Sequence, residues 1–208
     1  METGDTIKQL KEIAYTYYPF GINDSDQDYY NSPQYLHLKE TKRRRVNLMI
    51  DNWDALVRNI AEQSDKLNII IEDWKEIVPI NNCFKLVVIA NDTAEDMETR
   101  IRLVLNLSIL IPYYLIHQSI VTPESKVIHK GDYSSVAYNV PKQVHEIHSV
   151  ICSLLHRYFP VYNPLLQKIA EEPIDEIVFD GRGNISGYYL STTRRMTIFN
   201  AFFSNNFL

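Results

Sequence analysis

Cysteine is nearly absent from this chain. Cys83 and Cys152 are the two in 208 residues, too few for a disulfide framework and without metal spacing between them, which points to a reducing, cytoplasmic compartment. Glycine is scarce, with six in all, and none falls in a phosphate-binding loop or a dinucleotide fingerprint. The run "GRGN" at 181–184 is followed by the strand-like "ISGYYL" rather than a helix, so it reads as a hairpin turn. Positive charge is in deficit: 21 lysines and arginines face 26 acids, for a formal net charge of −5. The molecule as a whole therefore repels nucleic acid and anionic membrane. No apolar run is clean enough to span a bilayer, because the best, 104–121, carries Asn106, Ser108, Pro112, His117 and Gln118. The opening "METGDTIKQL" has no apolar signal core.

What is present is an ordinary globular allotment of 45% hydrophobic residues, enough for one good core. Ile7, Leu10, Ile13, Ala14 and Tyr17 recur at helical spacing over 5–18, and Pro19 ends the run. Ser32 and Pro33 read as an N-cap and first-turn proline. They open a long helix with the stripe Val46, Met49, Ile50, Trp53, Leu56, Val57 and Ile60. "FKLVVIA" at 84–90 and the alternating run 101–111 predict an antiparallel pair joined by "NDTAEDME". The second strand has one buried face and is bent or placed at an edge by Pro112. A short strand is expected near Tyr133–Tyr138, then a helix from Asn139 or Pro141 to about Tyr158. Asn163–Pro164 reads as the cap of another short helix, 173–190 as two strands around the glycine turn, and Ser191–Thr193 as the cap of a last helix. The sum is a single α+β domain over 1–208: N-terminal helices (mainly 1–66), a small central antiparallel sheet, and C-terminal helices with a β-hairpin (within 83–208).

Two acidic loops draw attention. In "NDSDQDYY", Asp24, Asp26 and Asp28 alternate as in a calcium loop. The sixth and twelfth loop positions are Tyr29 and Tyr35, where that loop needs a turn-forming Gly and a bidentate Glu, so an ion site is disfavoured. Acid mixed with Tyr29 and Tyr30 suits the gripping of a basic protein: tyrosines give rigid contact area and carboxylates give steering. Asp92, Glu95 and Asp96 form the second acidic group. The basic run "KETKRRR" places Lys39, Lys42, Arg43 and Arg45 around a helix rather than along one stripe. It reads as a solvated helix face, and nucleic-acid binding is not expected.

His145, His148, Cys152 and His156 share one face of the helix expected there. His145 and His156 lie about 16 Å apart along the axis, so at most a neighbouring set could share a metal. A metal-dependent enzyme or metal-stabilised module on His145, His148 and Cys152 is the alternative to a binding role. Cys152 sits mid-helix, where backbone N–H groups are already used, which argues against an activated thiolate.

The stretches "HRYFPVYNPLLQKIAEEPIDEIVFD" and "TIFNAFFSNNF" give the chain a general resemblance to the small acidic immunity proteins with which bacteria neutralise their own polymorphic toxins. The resemblance covers about the last third of the chain and holds no diagnostic motif. It implies inhibition by occlusion, with an acidic surface over the active site of a basic toxin domain, no cofactor and no catalytic residue. Asp24, Asp26, Asp28, Tyr29, Tyr30, Asp92, Glu95 and Asp96 are the expected contacts of this intracellular, non-catalytic inhibitor.

Overall fold

The computed structural model describes residues 3–19, 22, 27–78, 81–91, 100–121, 127–132, 142–179 and 194–203. Helix α1 (Thr3–Tyr17) buries Leu10, Ala14 and Tyr17. The short α2 (Gln27–Asn31) leads into α3 (Pro33–Ala61), whose N-cap is Ser32 as expected: its Oγ accepts from the Tyr35 N–H at 3.2 Å, and Pro33 fills the first turn. The small helix α4 (Ser64–Leu67) ends at Asn68 with φ 48°, a left-handed position that asparagine tolerates better than most residues.

Five strands then run as an antiparallel meander, β1 (Ile69–Asp73), β2 (Cys83–Asn91), β3 (Arg100–Ser108), β4 (Tyr113–Val121) and β5 (Val127–Asp132), in the order β1-β2-β3-β4-β5. Helix α5 (Lys142–Tyr158) follows, and the two-residue β6 (Asn163–Pro164) adds parallel to the start of β4. Last come α6 (Gln167–Ala170), the two-stranded sheet of β7 (Pro173–Phe179) and β8 (Arg194–Thr197), and α7 (Ile198–Phe202). The class is α+β, as the sequence implies.

The β2–β3 register pairs Phe84 with Leu107, Leu86 with Leu105, Val88 with Leu103 and Ala90 with Ile101. These side chains share one face, and they pack with Met49, Trp53, Leu56 and Ile60 of α3 and Val144, Ile147, Ile151 and Leu155 of α5. The Trp53 indole stacks on Phe84 with ring centroids 5.0 Å apart and donates to an Asp73 carboxylate oxygen at 3.0 Å, so its one polar atom is satisfied. A second core joins Leu10, Ala14 and Tyr17 of α1 to Cys83, Leu110, Leu115 and the C-terminal Ile198, Phe199, Phe202 and Phe203.

Several expectations need correcting. Strand β3 has both faces buried rather than one: Val104, Asn106 and Ser108 on the face away from α3 are as enclosed as Leu105 and Leu107. It stops at Ser108, so Pro112 lies in the connection to β4 and bends no strand. Strands β1, β4 and β5 extend the expected β2–β3 pair into the meander; "IIIED" and "VIHKGD" are too short and irregular to show a period of two. Asn163–Pro164 forms β6 and caps no helix; α6 begins only at Gln167. Thr197 is the true cap of α7: its Oγ1 accepts from the Asn200 N–H at 3.3 Å, while Asn200 Oδ1 accepts from the Thr197 N–H at 3.0 Å. The expected strand near 133–138, the glycine turn with its second arm, and the Ser191–Thr193 cap lie outside the described residues.

Ser108 tests how the second face is held. Its buried hydroxyl donates to Phe202 O at 2.8 Å and accepts from the N–H groups of Leu110 and Ile111 at 3.2 and 3.3 Å. Ser108→Ala strands these buried partners and should cost about 2 kcal/mol in urea unfolding, whereas Ser149→Ala on the exposed side of α5 should change little.

Candidate functional site

Helix α2 is one and a half turns long and cannot hold itself together. Tyr29 anchors it by burying its ring in the second core with 4% exposure. The Ser32 hydroxyl donates to Tyr29 O at 2.7 Å and also caps α3, which locks the two helices at a fixed angle. Around that joint three tyrosines touch one another: Tyr29–Tyr30 and Tyr29–Tyr35 at 5.4 Å between centroids, and Tyr30–Tyr35 edge-on at 5.1 Å. Such pairs add about 0.5–1.5 kcal/mol each beyond area burial. Burial, and then Tyr30, push the Tyr35 hydroxyl up from its ordinary pKa, so the ring stays neutral across the physiological range. Tyr30 stands 49% exposed, with Leu36 at 52% nearby in sequence and Asp28 exposed in the first turn of α2.

Of the eight expected contacts, the described residues include Asp28, Tyr29 and Tyr30; Asp24, Asp26, Asp92, Glu95 and Asp96 lie outside them. Tyr29 turns inward and packs edge-on against the exposed Tyr30 at 5.4 Å. Tyr35 belongs to the cluster through the i, i+5 and i, i+6 spacing from Tyr30 and Tyr29 across the Ser32–Pro33 cap, a signal readable in the sequence once the cap is recognised.

On α5, His148 and Cys152 meet, with Sγ 3.9 Å from Nδ1 and 3.8 Å from Nε2. Burial lowers the His148 pKa, with His145 adding to the effect, and burial raises that of Cys152. Both shifts favour the neutral forms, so this is a thiol beside an imidazole rather than a thiolate–imidazolium pair. His156 is exposed, and among the described residues no three His, Cys, Asp or Glu side chains are grouped to hold a metal ion.

The basic run differs from a solvated face. Arg43 pairs with Glu40 on the surface at 3.0 Å. Arg45, in contrast, reaches across to the carbonyls of Ile109 and Leu110 at 3.1 and 2.8 Å, and burial brings Lys42 down to about 8 from its ordinary 10.5. Long cationic side chains can bury their stems, which a helical wheel does not register.

The second face of the main sheet carries a polar row in place of a plain apolar surface. Cys83 Sγ lies 3.8 Å from Asn106 Oδ1, and Asn106 Nδ2 lies 3.4 Å from His117 Nδ1, all three side chains being buried. Burial pushes the Cys83 thiol up to about 12, so it is a small core side chain and no nucleophile.

Comparisons with family models, with curated proteins and with solved structures find no match to this chain. No helix among the described residues is long and apolar enough to cross a membrane.

Two outcomes follow from the titrating groups. With a disulfide reagent in native buffer, Cys152 should react slowly and accelerate only above the ordinary thiol range near pH 9, while Cys83 should react only on unfolding. Folded Lys42 gives up its proton near pH 8 and unfolded lysine near 10.5, so in that window the unfolded chain binds more protons and the burial penalty is relieved as pH rises. Lys42→Met should therefore be stabilising below pH 8, with the advantage over the parent chain shrinking towards pH 10.5; parallel urea titrations at stepped pH measure it.

Proposed function

We propose that this chain is a non-catalytic protein-binding inhibitor, an immunity protein that neutralises a basic toxin domain inside the cell by covering its active site. The observation that carries the reading is the joint of α2 and α3. A buried tyrosine and a shared serine cap hold Tyr30 and Asp28 outward on a rigid support. Exposed aromatic side chains held in place lose little rotamer entropy on binding, and this favours them as interface anchors. The proposed contact set is Asp24, Asp26, Asp28 and Tyr30, with Asp92, Glu95 and Asp96 as a second acidic group, and the chain's net charge of −5 steers a basic partner toward them.

A second reading, a metal-stabilised module or metal-dependent enzyme on His145, His148 and Cys152, has one contact in its favour, the approach of Cys152 to His148 at 3.8 Å. It requires further ligands and predicts stoichiometric metal in the purified protein.

The test is affinity capture from native cytosol at low salt, with mass spectrometry of the eluate and elemental analysis of the bait. A single basic partner, released by salt, is expected. Tyr30→Ala should weaken its binding at least tenfold, the size of a moderate interface anchor, and Asp24, Asp26 and Asp28 changed together to Lys should weaken it further and make it less sensitive to salt. Unchanged affinity in both variants removes this surface from the interface, and one equivalent of zinc with no partner transfers the case to α5.

A further inference from the structure

Among the described residues strand β1 ends the main sheet, and its outer edge has a definite chemistry. The Trp74 N–H donates to Lys85 O at 2.9 Å just beyond the β1–β2 register. In an antiparallel ladder, opposed residues alternate between bonded and non-bonded pairs. The bonded pairs are therefore Trp74–Lys85, Glu72–Val87 and Ile70–Ile89, which leaves Ile69, Ile71 and Asp73 with N–H and C=O pointing away from β2. No other strand pairs with this edge among the described residues.

Edges of this kind are normally blunted by charged side chains, proline, a bulge or a covering element. Strand β1 reads "IIIED" and pairs with β2 in unbroken register, and its charged side chains, Glu72 and Asp73, are acids that deter another acidic edge but not a basic strand. Beside the edge, Ile70 is 48% and Trp74 41% exposed, on the same side as Glu72. The charge around it is negative: residues 62–76 hold Glu62, Asp65, Glu72, Asp73 and Glu76 against Lys66 and Lys75. Lys75 is itself held by Asp54 at 2.7 Å. The Trp74 ring carries the ammonium of Lys85 4.9 Å from its centroid, and its indole N–H donates to one Glu72 carboxylate oxygen at 3.2 Å, which fixes that carboxylate beside the edge.

We propose that β1 is a docking edge that takes an extended, basic segment of a protein partner as an added antiparallel or parallel strand. Its backbone would bond to Ile69, Ile71 and Asp73, with a Lys or Arg opposite Glu72 and apolar residues against Ile70 and Trp74. Main-chain bonding supplies affinity, and the alternate side chains supply the preference for basic segments. This inference rests on the protein-binding reading for the existence of a partner, but it names a surface separate from α2.

The experiment uses the full chain and the probe heptapeptide Thr-Val-Thr-Lys-Thr-Val-Thr, which sets valine, lysine and valine on one side to face Ile70, Glu72 and Trp74, with its central-glutamate counterpart as the acidic control, read by residue-resolved amide hydrogen exchange. The lysine peptide should slow exchange at Ile69, Ile71 and Asp73 and leave Asp28 and Tyr30 unaffected. Glu72→Lys, an exchange at the sheet's edge, should weaken peptide binding about threefold, the size of one cross-strand ion pair. Equal protection by the acidic peptide, or none by either, overturns the proposal. Protection centred on α2 also overturns it, while leaving the inhibitor reading in place.

Discussion

Four side chains from distant parts of the chain converge on one end of the main sheet, and the rest of the molecule hangs from that joint. Tyr18, just after α1, donates to Ala201 O at 2.7 Å; Asn82, just before β2, donates to Ala201 O at 2.8 Å and to the Tyr18 hydroxyl at 2.7 Å. Ser108 donates to Phe202 O, and Arg45 of α3 donates to the carbonyls of Ile109 and Leu110. Carbonyls left bare at a strand turn and a helix end would cost about 1–3 kcal/mol each when buried. Satisfying them from four separate elements means that the sheet, α1, α3 and α7 can only be arranged in one way. Apolar packing alone is far less particular about orientation.

The same joint explains the surface on α2. Tyr29 reaches the second core only because α1 and α7 are already fixed around it, and Tyr30 faces outward because Tyr29 faces inward one residue away. The candidate site thus depends on side chains buried in the second core.

The elements legible in the sequence were those whose signals are local. The helical stripes of α1, α3 and α5 and the cap at Ser32–Pro33 are written in spacings of three and four residues, and they appear where expected. The pairing of β2 with β3 was readable for a similar reason, the alternation around Leu103, Leu105 and Leu107. What sequence could not convey was the environment of the alternate residues. Arg102, Asn106 and Ser108 look like a solvent face, yet the second core and its neighbours enclose Asn106 and Ser108, a matter of tertiary cover that no strand pattern records. The inward turn of Tyr29 and the burial of Lys42 have the same origin, since both are decided by elements tens of residues away.

The second core joins Leu10, Ala14 and Tyr17 to Ile198, Phe199, Phe202 and Phe203, which are separated by nearly the whole chain. During synthesis, α3, the meander and α5 can assemble on the first sheet face as they emerge, since their contacts lie within the stretch already made. Helix α1 can meet α3 early, since Leu38 shares its core and His37 stacks on Tyr17 at 5.3 Å. The part of that core closed by Phe199, Phe202 and Phe203 must wait, exposed or held by a chaperone, until residues near 200 leave the ribosome, which takes on the order of ten seconds or more. The long-range closure that makes the finished molecule rigid is therefore also its most vulnerable interval.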